Sequence, residues 1–233
     1  MTTPKILTPY EFPRTGTRVP NRTVLAAMTN KQTGNGPCGW VVNRGADGDL
    51  QSGVSPLPGG HPEEFACIAV EAAGFNYKDA LACDAHPGVA RTLPLVPGID
   101  VAGTLRSAFE GYAAGTPVVA TGNGLGESVQ GGFATEVWAP PAAIIQRPES
   151  LSATAAMAMG TAGLTAILAV ERLRAVIDWE YQSRIQQDDP LPWLVTGASG
   201  GVGMLAVAAT ALLPSTYLSR HPSMNGIHPS LNR

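Results

Sequence analysis

The sequence predicts an α+β chain in which a compact, mostly antiparallel β-barrel precedes an alanine-rich helical stretch and the opening turn of an α/β layer. Three observations predict it. Short apolar segments recur between Gly- and Pro-rich turns from Trp40 to Ile145, the spacing of a small barrel. After Pro148 the texture changes to alanine-rich runs with helical character. A glycine-rich turn, Gly197 to Gly203, then leads into the uncharged helical run Met204 to Leu213.

Composition narrows the chemistry before any motif is read. The chain has 233 residues, of which 44% are hydrophobic and 14% charged, so burial can compete with chain entropy over most of its length. A formal net charge of -3, with no lysine or arginine run, gives no footprint for a nucleic-acid backbone or an anionic membrane. Small-molecule chemistry is expected instead. Cys38, Cys67 and Cys83 form neither a paired zinc spacing nor an even disulfide set, and read as reduced thiols. Met1 to Tyr10 lacks a signal-peptide profile, and no stretch is expected to reach the ~20 apolar residues of a membrane span. A cytoplasmic protein is therefore expected, and the Asn-x-Thr triplet at Asn21 is not read as a glycosylation site.

The elements follow in order. Residues 1 to about 36 are rich in threonine, proline and basic residues around one short apolar run, Val24 to Met28, which is one strand at most. The barrel strands are expected at Trp40–Val42, Cys67–Ala72, Val101–Leu105, Val118–Ala120, Phe133–Trp138 and Ala142–Ile145. Ser150 or Ser152 can cap a helix that continues past Gly160, from Thr161 to about Val176. Asp178 to Pro190 is polar and reads as a surface insertion, after which Trp193 to Thr196 forms a short apolar strand. The tail from Pro214 to Arg233 has no sustained period and is expected to be disordered.

A strand, a glycine-rich turn and a helix start are the context that gives a dinucleotide fingerprint its meaning. Ala198, Gly200 and Gly203 occupy its three small-residue positions, for the tight turn, the close approach of backbone to pyrophosphate, and helix-to-strand packing. Amides at the helix N-terminus would meet the phosphate charge. No Lys followed by Ser or Thr comes after the glycines, which argues against a P-loop. Met204 to Leu218 holds neither Asp nor Glu, so NAD preference has no support; Ser219-Arg220 lies at a distance suited to a 2′-phosphate, which would favour NADP, with an ordinary tail arginine as the alternative reading.

Five stretches in order carry a resemblance: Asn76-Tyr77-Lys78-Asp79-Ala80, Pro97-Gly98-Ile99-Asp100-Val101-Ala102-Gly103-Thr104, Gly122 to Gly132 (GNGLGESVQGG), Gly160-Thr161-Ala162-Gly163-Leu164-Thr165-Ala166, and Val195 to Gly203. Over about residues 39 to 213 the chain resembles the medium-chain dehydrogenase/reductase superfamily, in its branch of YhdH-type quinone oxidoreductases and acrylyl-CoA reductases. The resemblance implies an α+β fold with a GroES-like antiparallel β-barrel domain at 38–150. A truncated Rossmann (α/β) dinucleotide-binding segment follows at 151–213, since residues 192 to 233 have room for little more than one βαβ unit of ~30 residues where the fold has about six strands. Residues 1–36 form an N-terminal extension similar to the start of the Old Yellow Enzyme flavin oxidoreductases, through Leu7-Thr8-Pro9-Tyr10 and Asn21 to Thr29. In that family a residue matching Thr29 touches the flavin; with no TIM barrel here, no FMN site is expected.

The resemblance also implies site residues and an activity. The metal ligands of the zinc enzymes in the superfamily are absent near Asn76 and Tyr77, which would instead line the nicotinamide end of the cleft as catalytic residues. Asn76 capping the following helix and Tyr77 packing on the barrel is the equally weighted alternative. Cofactor contacts would come from Ala80, from Thr161 through its hydroxyl on a phosphate or ribose oxygen, and from Ala198, Ser199, Gly200, Gly201, Val202, Gly203 and Met204. Lys78 and Asp79 read as a surface pair, and Gly124, Gly126, Gly131 and Gly132 as turn glycines without chemistry. His61, His86, His221 and His228 are too scattered for a metal site or a base. The implied activity is hydride transfer from NADPH to an activated alkene (an enoyl thioester) or a quinone, independent of zinc and impaired by truncation. Alternatives are a non-catalytic fragment or interaction module and a flavin-dependent ene-reductase. The expected partner is a small-molecule substrate, with no nucleic acid and no membrane, and a homo-oligomer left open.

Overall fold

The computed structural model describes residues 36–184 and 193–211, with three short strand segments ahead of them at 10–11, 18–19 and 24–26, and side chains over 36–176 and 193–211. The strands are β1 (Tyr10–Glu11), β2 (Arg18–Val19), β3 (Val24–Ala26), β4 (Cys38–Arg44), β5 (Leu50–Pro56), β6 (Ala66–Gly74), β7 (Asp100–Leu105), β8 (Pro117–Thr121), β9 (Glu136–Ala139) and β10 (Ile144–Gln146). The helices are α1 (Tyr77–Cys83), α2 (Ala153–Arg184) and α3 (Gly201–Ala211). Two compact units emerge, Met1–Thr161 and Ala162–Arg233.

The first unit is built on one antiparallel sheet in the order β10-β8-β7-β6-β3, with β9 also pairing β6. β6 is long enough to take β9 along Ala66–Ala69 and β3 along Ala72–Gly74, and a bulge between Val70 and Ala72 shifts its register against β7. Two backbone bridges, Gly39 to Ala134 and Val42 to Leu95, close the β4–β5 hairpin onto this sheet. Alternation sorts β7 by face. Val101 and Leu105 join Ile68, Val118, Leu125 and Val137 in the barrel interior, while Ala102 packs outward against Ala153, Ala156 and Met157 of α2. Asp100 shares the outward parity of Ala102.

The turn glycines answer to backbone needs. Gly124 and Gly126 hold φ of 87° and 67°, and a Cβ on Gly131 would lie 2.5 Å from the carbonyl oxygens of Pro97 and Gly98. β5 was not expected from the sequence, because its Leu50-Gln-Ser-Gly-Val-Ser-Pro56 run is polar and mostly exposed; pairing with β4 makes it a strand.

Beyond the barrel, Ser152 caps α2 by accepting the Ala155 N–H at 3.1 Å. α2 is interrupted at Gly160, where φ is 46° and ψ −151°, and it runs on through Arg184, eight residues past the Val176 end expected from the sequence. Part of the polar insertion expected at Asp178 to Pro190 is thus helix; residues 185–192 lie outside the described residues. The stretch Ala153–Val176 is long and apolar enough to cross a membrane by length and composition, which corrects the expectation that none comes near. The stretch is interrupted at Gly160, where the Thr161 N–H bonds Asp100 of the sheet at 2.7 Å.

One expected strand is absent. Trp193 to Val195 has no regular structure and Thr196 is already in a turn, because a strand exists only through pairing and none of the described residues pairs with it. The helix after the turn does form, as α3. Apart from Tyr10 and Val24–Ala26, the residues of the flavin-oxidoreductase resemblance, Thr29 included, lie outside the described residues, as do Ser219-Arg220, His221, His228 and the tail from Pro214.

Candidate functional site

Two groups of candidate residues emerge, one in each unit. In the first, the chain leaves β6, and Asn76 caps α1 with extended backbone (φ −117°, ψ 162°). The Asp79 side chain reaches back to accept the Asn76 N–H at 2.7 Å, an arrangement that satisfies an otherwise orphaned donor at a helix start. Asp79 also accepts the N–H groups of Gly98 at 3.1 Å and Ile99 at 2.9 Å. It is fully buried, which corrects its reading as half of a surface pair. Lys78 pairs with Glu127 instead, at 2.8 Å. That pair is partly exposed, so Lys78→Ala is expected to change unfolding stability by less than ~1 kcal/mol in a urea titration.

Burial pushes the Asp79 carboxyl up to about 7; the backbone donors of Asn76 and Ile99 oppose this, the charge of Asp100 adds to it, and the Asn76 side chain opposes it. Nearby, burial lifts the Cys83 thiol to about 12, with the charges of Asp79 and Asp84 adding to it. The Cys67 thiol is lifted to about 11, also chiefly by burial.

Asp100, 1% exposed, is the hub. Its Oδ2 accepts the Asn76 Nδ2–H at 2.8 Å and the Thr161 N–H at 2.7 Å. Its Oδ1 accepts the hydroxyls of Thr121 and, at 2.6 Å, of Thr161, and these two hydroxyls are 2.8 Å apart. One carboxylate therefore ties the start of α1, the end of β8 and the break in α2. Two glycines make room for it: a Cβ on Gly160 would stand 2.6 Å from Asp100 Oδ2, and one on Gly74 would stand 3.0 Å from its Cβ. The sequence reading gave Asp79 and Asp100 no role. The signal was available in two acidic residues inside small-residue runs, but burial alone turned them into a network.

The other sequence-predicted residues of this unit divide clearly. Asn76 stands at the α1 cap with its amide nitrogen on Asp100, as the capping alternative allowed. Tyr77 does not pack on the barrel: it is 81% exposed, one position from the hub. Ala80 is half-buried on α1. His61 stacks on Trp138 with centroids 3.5 Å apart, and no cluster of three His, Cys, Asp or Glu suited to a metal ion occurs among the described residues.

In the second unit, Gly197 (φ 64°) opens the turn, and the Gly200 N–H returns to its carbonyl at 3.0 Å. Ala198, Ser199, Gly200, Gly201, Val202 and Met204 are all exposed. Gly203 is buried, because a Cβ there would come 2.1 Å from Gly197 O. Within α3 the Met204 N–H bonds Gly200 O at 2.9 Å. The N–H groups of Gly201, Val202 and Gly203 precede it and have no acceptor inside the helix.

The chain was compared with known proteins on this basis. Residues 62–149 match the Alcohol dehydrogenase GroES-like domain family. The chain is 40% identical over 148 residues to the probable acrylyl-CoA reductase AcuI of Escherichia coli, covering 63% of this chain and 43% of that protein. The yhdH oxidoreductase of Salmonella enterica, solved in complex with NADP, superposes with a TM-score of 0.63 at 35% identity, over 83% of this chain and 58% of that one. Over these stretches the chain is similar to the medium-chain dehydrogenase/reductase superfamily. Within the superfamily it resembles the YhdH-type branch, to which Bacillus subtilis yhfP, solved with NAD bound, adds a TM-score of 0.61 at 36% identity, over 75% of this chain and 51% of that one. Its architecture is accordingly a GroES-like antiparallel β-barrel followed by the first part of a Rossmann segment. The chain spans a little under half the length of the curated relatives it matches.

Proposed function

We propose that this protein is an NADPH-dependent, zinc-independent oxidoreductase that reduces an activated alkene, such as an enoyl thioester, or a quinone. The carrying observation is the start of α3: the N–H groups of Gly201, Val202 and Gly203 follow an exposed turn, and Gly203 leaves no room for a Cβ. That donor set suits a pyrophosphate. Ala198, Ser199, Gly200, Gly201, Val202, Gly203 and Met204 would hold the phosphates, within a cofactor segment at 151–213 that follows a barrel domain at 38–150. When bound, NADPH supplies the hydride.

The chain's own groups orient and polarise. The exposed Tyr77 hydroxyl can donate a hydrogen bond to a substrate carbonyl and stabilise charge developing on its oxygen. Asn76 and Ala80, at the start of α1 beside the Asp100 hub, are the further site residues we propose in the first unit. The substrate is a small molecule, as the names of the relatives suggest for those proteins.

Titration of the ¹⁵N-labelled full chain with NADPH is expected to give saturable amide shifts at Gly200 to Met204. Gly203→Ala, which must displace the Gly197 backbone, is expected to weaken binding at least tenfold while the barrel resonances stay in place. Absence of saturable shifts in the unsubstituted chain would favour a non-catalytic fragment or interaction module over this function.

A further inference from the structure

A cavity of about 580 Å³ lies between the outward face of β9, the loop joining β5 to β6 and the stretch from Ser128 to Gly131. Its volume is that of a small-molecule site, and none of Asn76, Tyr77, Thr121 and Thr161 lines it. Leu57, Phe65, Val129 and Trp138 give it apolar walls. Gln130 is fixed in the wall, its Oε1 accepting the Val96 N–H at 2.6 Å and its Nε2 donating to Pro94 O at 3.1 Å. Glu136 is the one carboxylate in the lining, which holds no Lys or Arg.

Val137 and Ala139 point into the barrel core, so Glu136 and Trp138 share the opposite face of β9, two residues and about 7 Å apart along the strand. An indole and a carboxylate thus stand side by side. One face of the indole already carries a flat nitrogen ring, since the His61 imidazole stacks on Trp138 with centroids 3.5 Å apart and planes 9° from parallel. His61 is exposed and follows Gly59 and Gly60, where an added Cβ would meet nothing within 4 Å. The imidazole therefore has room to yield its place. Glu136 pairs loosely with Arg106, at 3.6 Å, and the Arg106 side chain is 56% exposed. Glu63 and Glu64, exposed in the same loop as His61, add negative charge beside the cavity.

We propose that this cavity binds a flat aromatic cation, its ring on Trp138 in place of the His61 imidazole and its ammonium group against Glu136. An aromatic face and a carboxylate both attract a cation, and burial of the ring removes apolar surface from water. The site is separate from the turn at α3, and its occupation does not depend on the function proposed above.

The test titrates the ¹⁵N-labelled full chain with two probes that share a ring and differ in charge, naphthylethylamine and naphthylacetate. The amine is expected to give saturable shifts at the Trp138 indole N–H and the Ser128 to Gly131 amides, with the acetate weaker by about tenfold. Glu136→Gln, which keeps the shape and removes the charge, is expected to weaken the amine about fivefold and to leave the acetate no weaker. Barrel amide signals report whether the variant is folded; if it is not, the two probes on the unsubstituted chain still decide. Equal binding of the two probes, no saturable shift with the amine, or an amine affinity unchanged in folded Glu136→Gln would overturn the proposal. The NADPH titration is read at Gly200 to Met204, so either site can fail without the other.

Discussion

Asp100→Leu is expected to cost about 4 kcal/mol of unfolding free energy, read as a shifted urea midpoint of the barrel amide signals. The replacement keeps the branching of the side chain and removes its acceptors, and its methyls also need more room than oxygens whose partners stand 2.6–2.8 Å away. It strands four donors: the Asn76 amide, the Thr121 and Thr161 hydroxyls and the Thr161 N–H. Each group left unsatisfied in a buried site costs roughly 1–3 kcal/mol, and groups of one network do not add fully. Asp100→Asn keeps one acceptor oxygen and is expected to lose about half as much. A loss below ~1 kcal/mol for the leucine variant would mean that the three elements meeting at Asp100 are held together by something else.

The second large effect is a pH dependence at Asp79. Its folded-state carboxyl is raised from 3.8 to about 7, chiefly by burial. A raised folded value means that the folded chain holds a proton that the unfolded chain releases. Stability from this site is therefore fully present below pH ~4, the unfolded carboxyl value, and is lost as pH rises through about 7. Over that window the excess stability of the unsubstituted chain over Asp79→Asn should fall, by roughly 4 kcal/mol at most. Paired urea titrations at about pH 4.5, 6 and 8 measure it. A difference that is flat or grows with pH would show that the three backbone donors on Asp79 outweigh its burial.

Much of the architecture is legible in the residues alone. Short apolar runs between Gly- and Pro-rich turns mark β6, β7, β8 and β10. Ser152 stands where a helix needs an acceptor for its first N–H groups. Gly203 marks the position where helix and turn come too close for a side chain. Even so, β5 is hidden by its polar composition, and the strand expected at Trp193 to Thr196 does not form.

By itself the sequence determined what depends on neighbours along the chain: the periodicities, the α2 cap, the glycine-rich turn and the ordered motifs that mark the superfamily. Only the tertiary structure decided what depends on distant residues meeting. It sank Asp79 out of water, sent Lys78 to Glu127, left Tyr77 exposed and gathered Asn76, Thr121 and Thr161 on Asp100. The reason is physical: hydrogen-bond partners and burial are properties of three-dimensional surroundings, and residues 76, 100, 121 and 161 reach one carboxylate only after the sheet has paired and α2 has broken at Gly160.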